Sequence, residues 1–120
     1  DYVSLASNGL LTNEATLSEN PELVRSMVRA TLRGIEDTIA DPTAAFEICK
    51  QYVEGLDQLS AADQALQRRI LDASIEFWKA DRPGYSDPQA WQNMQELLLA
   101  MRLLAKPLDL AAAFSNEYLP

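Results

Sequence analysis

Cys49 is the one thiol in a chain that has no histidine, and together these two facts remove most familiar site chemistries. A lone cysteine closes no bridge within its own chain, and a structural zinc needs four Cys or His ligands. Without an imidazole there is no ordinary base for a nucleophilic triad. Cys49 shares a predicted helical face with Ala45, Phe46, Tyr52 and Val53, which makes it a small buried hydrophobe rather than a nucleophile. Paired acids such as Glu36-Asp37 fall on an exposed helix turn, where the structural reading outweighs an acid/base role. The glycines at 9, 34, 55 and 84 are isolated, so no phosphate-cradling loop is present. Trp78, Trp91, Tyr85 and Tyr118 could stack on a flat ligand, but their helical spacing reads more simply as core. No catalytic residue, metal ligand set or cofactor cradle is expected.

Charge narrows the partners. Eighteen acidic against ten basic residues give a net charge of -8, which repels phosphate backbones and anionic lipid, so nucleic acid is a poor partner. Arg25, Arg29 and Arg33 form a ladder that could hold an anion; the simpler reading is a solvated face on which Arg33 pairs with Asp37 and Glu36. No apolar run is long enough for a membrane span, and no charged-then-apolar export signal opens the sequence.

The positioning elements are mainly helices. Residues 20–41 are predicted as the longest, with Asn20 as N-cap, Pro21 at the first helical position, and an apolar stripe of Val24, Met27, Val28, Thr31, Leu32, Ile35 and Ile39. Gly34 within it marks either a close backbone approach or a tolerated cost. Asp41-Pro42 ends this helix and starts one over 42–53, with Ala45, Phe46, Cys49, Tyr52 and Val53 inward. Ser60 and Asp63 cap a helix over 61–79. Its two apolar rows, Leu66-Ile70-Ala73-Phe77 and Leu71-Ile75-Trp78, predict contacts on two sides. Asp87-Pro88 starts a helix closed by Lys106-Pro107, with Trp91, Met94, Leu98 and Met101 buried. Asn13 caps a short turn near 13–19, and Asp109 caps another over 110–114 before a tail in which Phe114, Tyr118 and Leu119 can dock. Residues 2–12 form the one strand candidate, interrupted at Ser7-Asn8-Gly9, and nothing later reads as its ladder partner.

The ordered set Ser7-Asn8-Gly9-Leu10-Leu11-Thr12-Asn13-Glu14, Asn20-Pro21-Glu22-Leu23-Val24 and Arg29-Ala30-Thr31-Leu32-Arg33-Gly34 resembles the carboxy-terminal part of ABC-transporter solute-binding proteins. The branch includes the thiamine-pyrimidine-precursor, riboflavin and nitrate/sulfonate/bicarbonate binders. Phe77-Trp78, Pro83-Gly84-Tyr85, Asp87-Pro88 with Trp91, and Phe114 to Pro120 fit the same pattern.

The resemblance implies a share in a two-lobed, type 2 periplasmic-binding-protein fold of α/β lobes. Residues 1–13 would be a strand crossing between lobes, and 14–120 the helical part of the first lobe, mainly α with about five helices. It implies a small-molecule solute and an ABC permease as partners, a periplasmic or extracellular location with a lipid anchor as one form of attachment, and no enzymatic activity. Ser7 and Asn8 match the family's ligand grip best, with Asn13 and Glu14 behind them, although Ser-Asn-Gly is equally good turn chemistry. By itself the segment is expected to bind solute poorly and to self-associate through its amino-terminal strand. The competing reading is a free-standing acidic helical module that binds another protein through its apolar faces. A third, enzymatic reading exists because thiamine-pyrimidine synthases share the fold and use a histidine, which these residues lack.

Overall fold

The computed structural model describes residues 3–120, and six helices are the regular elements among them. They are α1 (Glu14–Glu19), α2 (Pro21–Ala40), α3 (Pro42–Tyr52), α4 (Ala61–Trp78), α5 (Pro88–Ala100) and α6 (Leu110–Ala113). The mainly helical class is borne out. The chain divides into two compact units, one comprising the residues up to Arg29 together with Gly84–Pro120, the other Ala30–Pro83. The division falls inside α2.

Side-chain oxygens set most helix starts. The first N–H groups of a helix have no partner within it, so a short acceptor just upstream decides where the helix begins. Asp41 accepts from the N–H of Thr43 at 3.1 Å and Ala44 at 3.0 Å, and Asp87 from Gln89 at 3.0 Å, each ahead of a proline at the first helical position. Ser60 Oγ accepts from the Asp63 N–H at 3.2 Å and donates to Asp63 Oδ2 at 2.7 Å, as the sequence predicted. Asp109 caps α6 by accepting from Ala111. Asn20 holds the expected N-cap place of α2, its carbonyl accepting from Leu23 and Val24, but among the described hydrogen bonds the capping is by its backbone and not its side chain, and its N–H closes α1 on the Thr16 carbonyl.

The carboxy-terminal boundary of α5 also differs. The helix stops at Ala100, well before Lys106-Pro107, because Arg102 takes a left-handed conformation (φ 58°). The Arg102 N–H then reaches the Leu99 carbonyl at 3.0 Å and the Leu103 N–H reaches that of Leu98 at 2.9 Å, a two-bond closure of the last turn. Arginine at that position was no signal for a stop, since glycine usually fills it.

The amino-terminal strand is corrected. Tyr2 lies outside the described residues, and residues 3–13 carry no regular secondary structure. A strand exists only as half of a ladder, and the described residues supply no other half. One tie to the helices is the Ser4 carbonyl, which accepts from Asn93 Nδ2 of α5 at 2.9 Å.

Burial is sparse. Among the described residues Leu32, Phe46, Ile75 and Ala90 are the buried apolar ones. The accessible surface is 9535 Å² for 13.3 kDa, whereas two separate compact bodies sharing that mass would leave about 7800 Å². The excess includes faces that the sequence assigned to the core. Cys49 is exposed, not buried, with Tyr52 and Val53 beside it, so only the Ala45-Phe46 part of the α3 face turns inward. On α4 the Leu71-Ile75 row packs toward its unit, while Leu66, Ile70, Ala73 and Phe77 stay exposed. The predicted contact on two sides is met on one.

At Gly34 an added Cβ would meet nothing within 4 Å among the described residues, so the glycine reflects tolerance rather than close approach. Gly34→Ala is expected to stabilise the second unit by about 1 kcal/mol through helix propensity, read as a rise in Tm.

Candidate functional site

The first unit holds all four positions singled out as ligand-facing. Ser7 and Asn8 sit exposed on the irregular stretch before α1, beside Gly9, whose Cα position has open space around it among the described residues. A hydroxyl and a carboxamide on adjacent residues can offer donors and acceptors to the polar edge of a small planar molecule. Asn13 is committed to structure: with φ -98° and ψ 161° it caps α1, its Oδ1 accepting from the Thr16 N–H at 2.8 Å. Glu14 occupies the first turn of α1 and is exposed, where a negative charge suits the helix dipole. These four positions follow one another along the chain, and their side chains are not drawn into a common buried cluster.

The rest of the first unit explains what holds this stretch in place. Asn93 of α5 grips the Ser4 carbonyl, and α5 is braced by the tail. Trp91 and Phe114 stack with ring centroids 5.0 Å apart and planes within 5°. Arg25 of α2 donates from Nη1 to the Glu117 carbonyl at 2.7 Å, and its guanidinium lies 5.2 Å from the Tyr118 ring centroid. The expected docking of Phe114 and Tyr118 is therefore observed. It also removes Arg25 from any anion-binding stripe, and Arg33 pairs with Asp37 at 3.7 Å as read from the sequence.

Sequence reasoning missed Asn116. Its Oδ1 accepts from the Ser86 N–H and its Nδ2 donates to the Ser86 carbonyl, both at 2.9 Å and partly buried. The carboxamide thus copies one rung of an antiparallel ladder, fastening the tail to the turn ahead of α5. An asparagine before an acidic residue in a terminal segment gave no local sign of a partner thirty residues upstream.

In the second unit an open hollow is lined by Ile39, Trp78, Lys79, Ala80, Asp81 and Pro83. Lys79 is already paired with Glu76 at 2.6 Å, so among the described residues the hollow presents the Trp78 indole and the Asp81 carboxylate rather than a converging polar set. Among the described residues no group of acidic or cysteine side chains could hold a metal ion, and no helix is long and apolar enough to cross a membrane.

Residues 1–45 match the family model described as NMT1/THI5 like. The whole chain is 40% identical to the riboflavin-binding protein RibY of Chloroflexus aurantiacus, covering 35% of that protein. Over 91% of the chain it is 28% identical to the 4-amino-5-hydroxymethyl-2-methylpyrimidine phosphate synthase of Aspergillus parasiticus, covering 29% of it. The chain thus spans about a third of the length of the curated relatives it matches. No solved structure matches it. The resemblance to this solute-binding family is borne out.

Proposed function

We propose that this chain, similar along its whole length to a riboflavin-binding protein and over residues 1–45 to the NMT1/THI5-like family model, forms the carboxy-terminal part of a protein that captures a small solute outside the cytoplasmic membrane. The solute is delivered to an ABC permease. The observation that carries the reading is the full-chain similarity to a riboflavin-binding protein, which favours a flat heteroaromatic ligand such as riboflavin or a thiamine-type pyrimidine. Residues 1–13 act as the crossing segment between lobes and 14–120 as the helical part of the first lobe. Ser7 and Asn8 then contribute hydrogen bonds to the ligand's polar edge, with Asn13 and Glu14 framing the start of α1. A periplasmic or extracellular setting, with a lipid anchor as one form of attachment, belongs to the same proposal.

The role is binding, not catalysis. The synthase relative favours the enzymatic alternative, whose histidine would have to come from outside these residues, but its identity is lower than that of the binding protein. Riboflavin fluorescence separates the readings. The 120-residue chain is expected to leave the fluorescence unchanged at micromolar concentration, because most of the grip lies outside these residues. A polypeptide of the relatives' length that carries this chain at its carboxy-terminal end is expected to quench it. In that longer form Ser7→Ala and Asn8→Ala should each weaken binding by about tenfold, the worth of one good hydrogen bond. A longer form that binds neither riboflavin nor the pyrimidine would overturn the proposal.

A further inference from the structure

The outward face of α4 carries a pattern that its own unit leaves unused. Leu66, Ile70, Ala73 and Phe77 recur at steps of four, three and four, the a/d spacing of two coiled-coil heptads. They lie on the exposed side of the helix, with Leu66 48%, Ile70 50% and Phe77 88% accessible, while Ile75 on the other side is buried. A surface helix with a complete second seam is not explained by contacts within its unit.

Flanking charges say what the seam fits. Arg69 and Glu76 occupy the same heptad position, g, seven residues apart on one edge of the stripe. In an antiparallel pair g faces g, so a two-fold axis level with the midpoint between Leu71 and Asp72 sets Leu66 opposite Phe77 and Ile70 opposite Ala73 of the second copy. The same axis brings each Arg69 within about 3 Å, measured along the helix, of the other copy's Glu76. In a parallel pair g faces e, and Arg69 would meet Ser74 while Glu76 would meet Asp81, which offers no attraction. None of the described ion pairs uses Arg69, and Glu76 holds only an i,i+3 pair with Lys79 while remaining 69% accessible.

We infer that the Leu66-Ile70-Ala73-Phe77 face of α4 is a docking surface for a second copy of this chain, packed antiparallel and keyed by reciprocal Arg69-Glu76 pairs. The inference concerns the 120-residue chain and a failed riboflavin titration leaves it untouched; under the solute-binding reading the parts of the lobe outside these residues compete for the same face. Two heptads make a short seam, so the pair forms at high protein concentration and exchanges readily.

Sedimentation equilibrium of the 120-residue chain at neutral pH tests it. The expected result is a concentration-dependent dimer whose Kd rises by roughly tenfold or more in Phe77→Ser, in R69E and in E76R, because each removes the seam's anchor or sets like charges face to face. The double variant R69E/E76R should recover most of the lost affinity, which a general change in surface charge would not do. All four variants sit at exposed positions, and unchanged helical circular dichroism confirms that they fold. A monomer at every concentration would overturn the inference. So would association that ignores Phe77→Ser, or a double variant no tighter than the single ones.

Discussion

Ile75→Ala is expected to destabilise the second unit by about 3 kcal/mol and to lower its Tm by more than about 10 °C. Ile70→Ala, the same change five residues away on the same helix, should cost under about 1 kcal/mol, chiefly the apolar contacts an exposed side chain makes with its own helix. The contrast follows from burial alone: Ile75 is 5% accessible and Ile70 is 50%. Truncating a buried isoleucine loses the transfer free energy of three carbons and leaves a cavity that the surroundings fill only in part. In this unit few residues share that load, since Leu32, Phe46 and Ile75 are its buried apolar side chains. Helix α4 is also held to α3 by Arg68, whose Nη1 donates to Thr43 Oγ1 at 3.1 Å while Nε donates to Asp72 at 3.0 Å. That polar bridge is solvent-accessible and cannot replace the lost packing. Thermal denaturation of both variants, followed by circular dichroism at a concentration where the chain is monomeric, checks the pair. Equal losses at the two positions would mean that the face carrying Ile70 is covered in solution.

The same two residues show how far the sequence could be read. Periodicity placed both on apolar rows of one helix, and the rows are real, but spacing cannot say which row finds a neighbour within these residues. Capping chemistry was legible because it is local. Asp41, Ser60, Asp87 and Asp109 each act within three residues of themselves, so their types and spacing suffice. The amino-terminal segment was misread as a strand, because a ladder depends on a partner that no pattern inside residues 3–13 can supply. Cys49, Tyr52 and Val53 were misplaced for a related reason: an apolar helix end predicts a demand for cover, not its presence. Ser7 and Asn8 entered through family resemblance rather than through geometry, and they lie exposed on an irregular stretch.

Asn116→Ala is expected to cost the first unit about 2 kcal/mol, because it leaves both the N–H and the carbonyl of a half-buried Ser86 without their partner. The loss should appear first in the tail. Once the Ser86 rung is gone, the segment from Ser115 to Pro120 keeps the Arg25 contacts to Glu117 and Tyr118, which are partly screened by water, so amide exchange and proteolysis there should speed up before the helices unfold. Asn116→Asp discriminates a two-point hydrogen bond from simple packing. The aspartate keeps the acceptor for the Ser86 N–H but turns a second negative oxygen toward the Ser86 carbonyl, so at neutral pH it should be at least as damaging as alanine. Repulsion by that carbonyl makes the folded state hold the proton more tightly than the unfolded chain does. Lowering the pH through the carboxylate range therefore should recover stability relative to the parent protein measured at the same pH. A protonated carboxyl can donate to the Ser86 carbonyl as the amide did, and the recovery would mark that bond. An aspartate variant that tracks the alanine variant at every pH would show instead that the tail is held by the Trp91-Phe114 stack and Arg25 alone.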